Sequence, residues 1–374
     1  MKTNRRQFLT ASTAALAGLS LPASNLFAKA KAAKPLNILV LGGTGFIGPH
    51  IVRNFLERGH SVTLFNRGKR NTHLFPDLET IVGDRDPQKG KGLSGLKGRK
   101  FDAVVDNSGY VPRHVDGSAK LLANVSPHYL FISTVAVYDQ TISVQITEDS
   151  PLLVLSEPGS EDVGKHYGAL KVLCEQAVQQ YFPEQHTILR PTYIIGPGDH
   201  TDRFIHYIDR PMQGGRMAMP APKSNALRYV DVRDLADYVL SSLENKITGV
   251  FNMVNKAGQT NWGEYLDLSL ALSKADVDIE WIDFEFLKTQ EGFEHPVYTP
   301  FPMWLHPSNV PPVSHALAVG KGFSNRAFTE TVTDTFNWWM QQSEERRTTN
   351  KRQMMTSERE QALLKAWDVH KAKS

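Results

Sequence analysis

The stretch Leu36-Asn37-Ile38-Leu39-Val40-Leu41-Gly42-Gly43-Thr44-Gly45-Phe46-Ile47-Gly48 decides the fold of this 374-residue chain. Its first half is an apolar run of strand length, the pattern of a strand buried on both faces of a parallel sheet. Residues 46–58 then carry Ile47, Ile51, Val52, Phe55 and Leu56 on one face and stop at Gly59, which reads as an amphipathic helix with a glycine terminus. A strand, a glycine turn and a helix in that order make a cradle for phosphate. Gly42 permits the tight turn, Gly45 lets a ligand approach the backbone, and Gly48 lets the helix pack close to the strand. The helix N-terminus at Phe46 and Ile47 adds amide donors and partial positive charge. The expected ligand is the pyrophosphate of a nicotinamide dinucleotide.

Working outward, apolar runs at 61–65, 80–82, 101–105, 129–132 and 187–189 read as further strands, with amphipathic stretches between them. That alternation predicts an α/β protein with a Rossmann-type, doubly wound parallel sheet over residues 36–195. From Gly196 the pattern changes. Pro197, Gly198, Pro211, Gly214, Gly215, Pro220 and Pro222 break the chain into shorter pieces. A smaller, substrate-facing lobe over residues 196–345, interleaved with the sheet, is the expectation. The proline- and aromatic-bearing stretch 296–312 reads as a loop over a cleft, and 346–374 as a charged helical tail on the surface.

Composition narrows the partners. Hydrophobic residues are 41% and charged residues 22%, as in a soluble globular protein, and a net charge of +3 is too small to demand a polyanion. No basic stripe with interleaved aromatics is present, so no nucleic acid is expected. One cysteine, Cys174, excludes an intramolecular disulfide and a cysteine metal cluster. The histidines, including the loop residues His200 and His206 near Asp199 and Asp202, lack metal-ligand spacing, so no metal is expected.

Residues 1–33 read as a leader. Arg5-Arg6 stands ahead of Phe8-Leu9, a small-residue apolar run follows at 11–21, and alanines between 23 and 33 offer small-x-small cleavage points. The pattern resembles a bacterial twin-arginine export signal. The resemblance implies a folded, periplasmic or otherwise exported protein, handled by the twin-arginine machinery, whose cofactor is bound tightly before export. No later apolar run has the length of a membrane span.

Two further features are read from the residues. Tyr167 and Lys171 lie at i, i+4 on one helix face. The ammonium is expected to lower the phenol's pKa so that Tyr167 exchanges a proton near neutral pH, with His166 a candidate to tune it. At the end of the second strand stand Asn66-Arg67, with Lys69 and Arg70 behind them and no carboxylate. An acidic residue there would favour a free ribose hydroxyl, so the basic set leans toward NADP over NAD.

The three-residue glycine spacing resembles the extended and atypical short-chain dehydrogenases/reductases, the NAD-dependent epimerase/dehydratase family. Phe131-Ile132-Ser133-Thr134-Val135-Ala136-Val137-Tyr138, Tyr167-x-x-x-Lys171, the Arg190-Pro191 to Gly196-Pro197 segment and Arg228-Tyr229-Val230-Asp231-Val232-Arg233-Asp234 carry the likeness along nearly the whole mature chain. It implies that Thr134 hydrogen-bonds the substrate oxygen with Ser133 beside it, and that Pro191 and Tyr193 flank the nicotinamide. It also implies Asp84 near the adenine, Asn107, Ser108 and Gly109 along the dinucleotide, and Arg228 in the substrate site, where nucleotide-sugar members grip phosphate.

The chemistry then narrows. The family's dehydratases resemble one another in an Asp-Glu pair after the catalytic threonine, and here Val135-Ala136 stand in those places, which excludes elimination. Epimerisation through a keto intermediate and plain alcohol/ketone redox remain. An exported enzyme has no steady supply of reduced cofactor and no nucleotide sugars, which favours an epimerase acting on a free sugar, glycoside or polyol. A second copy of the chain is an expected partner. Residues 63–68 and 83–85 also resemble the chloroplast stem-loop-binding branch, which leaves a non-catalytic dinucleotide-binding regulatory or RNA-binding protein as the alternative.

Overall fold

The structure, a computed structural model, describes residues 31–141, 145–293, 300–306, 311–349 and 355–373. The leader up to residue 30 and two parts of the 296–312 loop lie outside the described residues.

Strands β1 (Asn37–Leu41), β2 (Ser61–Asn66), β3 (Thr80–Val82), β4 (Ala103–Asp106), β5 (Tyr129–Ile132) and β6 (His186–Pro191) join a parallel sheet. Two small strands, β7 (Ile194–Ile195) and β9 (Val230–Asp231), pair with each other, and β8 (Gly215–Pro220) pairs with β11 (Val277–Ile282). β10 (Gly249–Met253) returns to the main sheet as its seventh strand, giving the order β10-β6-β5-β4-β1-β2-β3. The short Gly-Val-Phe-Asn-Met run gave no strand signal in the sequence because Asn252 interrupts it. Asn252 is nonetheless buried, accepting from Tyr138 Oη at 2.7 Å and donating to the Ser314 carbonyl at 3.0 Å.

The apolar run of β1 has a direct cause. Ile38 and Val40 enter the core beneath α1 (Ile47–Arg58), while Leu39 and Leu41 enter the core on the opposite face, and all four are fully buried. Helices α2 (Pro112–Leu122) and α3 (Val163–Tyr181) cover that second face, with Cys174 packed inside it. Helix α4 (Val232–Glu244) comes back from the smaller lobe to lie beside α1. The order of strands reverses direction about β1, between β2 and β4, so the ligand crevice of such a sheet opens at the carboxyl ends of β1 and β4.

The smaller lobe has its own core. Trp262 and Tyr265 from α5 (Trp262–Ser273), Phe328 and Trp339 from α6 (Phe328–Met340), and Tyr207 and Trp304 from the connecting segments pack together behind β8 and β11. The charged tail is helical, as expected, with one face packed inward and the rest exposed. Helix α7 (Ser357–Lys371) buries Leu363, Leu364 and Glu360 against β8. Glu360 pairs with Arg210 at 2.7 Å and accepts the Ala218 amide at 3.0 Å, so one of the tail's charges faces inward. Among the described residues no helix is long and apolar enough to cross a membrane.

Candidate active site

Three of the turn's four glycines, Gly42, Gly45 and Gly48, stand in three different surroundings. Gly42 holds φ at +94°, and a Cβ there would stand 2.6 Å from Asn107 Oδ1. At Gly48 a Cβ would stand 2.5 Å from the Gly43 carbonyl carbon, so α1 rests directly on the turn. Gly45 is unlike both, since a Cβ there would meet no atom within 4 Å. The contacts around Gly45 do not require glycine there, and the space above it is open to a ligand. Phe46 caps α1 without a side-chain hydrogen bond, and no acid stands in the first turn, so the orphan amides keep their positive end. Gly45→Val is therefore expected to weaken dinucleotide binding while shifting stability by under about 1 kcal/mol, whereas Gly48→Ala is expected to cost about 1–3 kcal/mol. Thermal unfolding beside dinucleotide titration checks the pair.

A cleft of about 900 Å³ runs from this turn past Asn66, Arg67, Asp84, Asn107 and Ser108 to Ser133, Thr134, Tyr167, Lys171, Pro191, Tyr193 and Arg228. The residues fit a nicotinamide dinucleotide: an open cradle at Gly45, polar groups along the strand ends, and a hydroxyl pair at the far end. Asn66 closes its own loop, accepting the Gly68 amide at 2.8 Å, and Asp84 does the same for the Asp86 amide at 3.0 Å. Beneath the cleft floor Asp106 is fully buried and takes Arg85 Nη2 at 2.7 Å, Tyr129 Oη at 2.8 Å and the Ser108 amide at 3.1 Å. Arg85, which sequence reading did not single out, thus joins the floor to the cleft wall.

Gly109 corrects an expectation. It is buried and does not line the cleft, because a Cβ there would meet Phe131 and Val115 at 2.7 Å. Its carbonyl instead accepts from Lys171 Nζ at 2.7 Å, as does that of Ile132. Lys171 is 2% exposed, sits 4.0 Å from the centre of the Phe131 ring, and burial lowers its pKa to about 8.

The Tyr167 phenol also departs from the sequence reading. Burial pushes it up to about 12, with Tyr110 pushing the same way and Thr134 and the Arg203 guanidinium drawing it back. The expected pull of Lys171 is displaced by these two groups, since the ammonium is anchored to the carbonyls under Phe131. His166 is not the tuner either. It forms a break in the helix, at φ −121° and ψ 27°, and its Nε2 lies 3.2 Å from Glu157. The helix resumes at Tyr167, and Gly168 lets that turn press against the Ala136 carbonyl.

Ser133 and Thr134 are adjacent but have separate tasks. Ser133 Oγ donates to Glu175 Oε1 at 2.5 Å. Glu175 and Arg190 form a buried two-point pair at 3.0 and 2.6 Å, and Arg190 also donates to Tyr138 Oη at 2.7 Å. With Ser133 turned into this network, Thr134 is the hydroxyl beside Tyr167. Its Oγ1 accepts the Ala136 amide at 3.1 Å, which fixes its rotamer at the end of β5. Tyr110, 48% exposed, stands with its ring 6.3 Å from that of Tyr167. Leu305, from the described part of the 296–312 loop, lines the cleft as expected of a covering loop.

A doubly wound sheet with a glycine turn after β1 and a Thr-Tyr-Lys set at the end of β5 and on α3 defines a dinucleotide-binding protein of the short-chain dehydrogenase kind. The chain belongs to the NAD dependent epimerase/dehydratase family, whose model matches residues 38–254. It is 27% identical over 238 residues to the chloroplast stem-loop binding protein of 41 kDa b of Arabidopsis thaliana, covering 60% of this chain and 59% of that one. To the 2-alkyl-3-oxoalkanoate reductase of Stenotrophomonas maltophilia it is 30% identical over 223 residues, covering 54% and 64%. A UDP-glucose 4-epimerase of Neisseria meningitidis is 26% identical over 258 residues, covering 56% and 74%. The first two of these relatives are thus matched over less than two thirds of their length. In fold the chain is similar to the Bordetella bronchiseptica enzyme WbmG, solved with NAD and UDP, at a TM-score of 0.61, with 18% identity and 82% and 96% covered. The Thermus thermophilus UDP-glucose 4-epimerase solved with NAD gives a TM-score of 0.58, with 17% identity and 82% and 100% covered.

Proposed function

We propose that the protein is an NAD(P)-dependent enzyme that moves a hydride at a hydroxyl- or keto-bearing carbon of a sugar-like substrate, with Tyr167 as the acid/base. One observation carries this reading: Thr134, Tyr167 and Lys171 line the same cleft as the Gly42–Gly48 turn. Gly45, the α1 amides, Asn107 and Ser108 would hold the dinucleotide, which when bound would accept and return the hydride. Every other task falls to the chain. Thr134 orients the reacting oxygen. Tyr167, a neutral phenol at neutral pH, gives its proton to an alkoxide forming on that oxygen and recovers it when the reaction runs back. An ammonium has three protons. Lys171 points two at carbonyls, which leaves the third for the nicotinamide ribose of a bound dinucleotide.

Val135 and Ala136, following Thr134, bring no carboxylate to the reacting carbon, so elimination has no base there. In this reading the paired-arginine leader exports the folded protein to the periplasm with its cofactor tightly bound. A reaction that returns its cofactor to the starting state suits that location, which favours epimerisation over net oxidation. The basic residues Arg67, Lys69 and Arg70 line the cleft at the end of β2, and they favour NADP. Arg67→Ala is expected to weaken NADP binding about tenfold and NAD binding little, as fluorescence titration with both would report. The likeness to the stem-loop binding protein supports a binding-only alternative. Assay of dinucleotide reduction across a panel of sugars and polyols, with wild type and Tyr167→Phe side by side, separates the two.

A further inference from the structure

Two aromatic rings and two carbonyls surround the Lys171 ammonium. The centre of the Phe131 ring is 4.0 Å from Nζ and that of the Tyr110 ring 5.4 Å, while the carbonyls of Gly109 and Ile132 each accept from it at 2.7 Å. Phe131 belongs to β5 and is fully buried in the core. Tyr110 has no such reason to be aromatic. It follows Gly109 in the loop between β4 and α2, is 48% exposed, and among the described residues joins no apolar core. Its ring stands beside the ammonium and beside Tyr167 at once, on the lining of the cleft.

The charges that face Lys171 already have partners. On α3, Glu175 is paired with Arg190, and burial pushes the Cys174 thiol up to about 12, so it is neutral. From β4, Asp106 is paired with Arg85, whose guanidinium opposes the ammonium. The Tyr167 phenol, pushed up to about 12, and the Tyr110 phenol, raised by burial and Asp106 against the pull of Arg70, bring no charge near neutral pH. Access of water is then what decides how firmly Lys171 holds its proton, and burial is the first cause of its low value of about 8. A ring beside a cation attracts it and also displaces its water; only the second effect lowers a pKa. We propose that Tyr110 is a positioning residue that acts through Lys171: its ring keeps water from the ammonium and so reserves the lysine's third proton for the ribose of a bound dinucleotide. The ribose contact rests on the hydride-transfer reading; the shelter of the ammonium does not.

The test follows Lys171 itself, by carbon NMR of protein isotope-labelled at lysine Cε. The signal missing from Lys171→Met identifies the residue, and in wild type it is expected to titrate at about 8. Tyr110→Ala and Tyr110→Ser are each expected to raise that midpoint by about one pH unit or more, toward the ordinary 10.5, and Tyr110→Phe to leave it within about 0.3. Thermal midpoints establish that the variants are folded. With NAD and NADP as probes, wild-type affinity is expected to be full below the midpoint and to fall about tenfold as pH rises through it, since a neutral amine keeps two protons and both stay on carbonyls. In Tyr110→Ala that fall moves to higher pH. A wild-type Lys171 titrating at the ordinary value, a midpoint unmoved in both small variants or moved as far in Tyr110→Phe, or a dinucleotide affinity flat through the midpoint would each overturn the proposal. The NMR readout needs neither ligand nor turnover. Failure to bind either dinucleotide would instead sink the reading of function and leave the shelter of Lys171 standing.

Discussion

Tyr167→Phe is expected to lower turnover about a thousandfold while leaving dinucleotide affinity within about twofold of wild type. The substitution removes one oxygen and keeps the ring. Ring packing against Tyr110 is retained, and the seat of α3 on the Ala136 carbonyl depends on Gly168 rather than on the phenol. Stability should fall by no more than about 1 kcal/mol, the worth of one hydrogen bond to Thr134. Loss of rate is thus separable from loss of fold. The phenol is pushed up to about 12, so wild-type Tyr167 carries its proton throughout the neutral range and no titration of this group is expected to break the pH profile between 6 and 9, roughly. A variant retaining wild-type turnover would remove Tyr167 from the mechanism.

The largest expected effect on stability is Arg190→Ala, at about 3–5 kcal/mol. Glu175 is 1% exposed, and its two oxygens are met by Arg190 and by Ser133. Without the guanidinium a carboxylate is left buried beside a single hydroxyl, and Tyr138 loses its donor as well. A domain of ordinary stability has about 5–15 kcal/mol to lose, so this variant should denature at much lower urea. The double variant Glu175→Gln/Arg190→Met removes both charges and is expected to recover most of the loss. Equal stability of Arg190→Ala and wild type would show that the pair is not the anchor of β5 and β6. The network also bears on the site, because it is what turns Ser133 away and leaves Thr134 to the substrate.

Much of the sheet was legible because burial on both faces writes an unbroken apolar run, as in β1, where alternate residues enter opposite cores. The glycine turn was legible because two steric demands, at Gly42 and Gly48, and an open position at Gly45 fall at a fixed spacing. Asn252 hid β10, since a polar residue satisfied by tertiary partners looks the same in sequence as one left in water. The packed face of the tail was hidden for the converse reason. Its net pattern is charged, and only the packed structure shows Glu360 meeting Arg210.

Within the site, residue types were readable and their aims were not. Gly109 was placed on the dinucleotide, yet it packs under Phe131 and offers its carbonyl to Lys171. Lys171 sits one turn from Tyr167, but the carbonyls that hold its ammonium come from β5 and the loop after β4, far away in sequence. Arg203 lay in a breaker-rich loop with no periodicity to mark it. Only folding sets it over Tyr193 and opposite Tyr167.

The most direct test of the central claim is to purify the protein, denature it and identify what it releases. Before denaturation, the protein is exposed to candidate hydroxy acids, sugar phosphates and sugars. About one nicotinamide dinucleotide per chain is expected, with its oxidised and reduced forms interconverted by substrate in wild type and fixed in Tyr167→Phe. A protein that releases no dinucleotide and does not bind one when supplied would contradict the account.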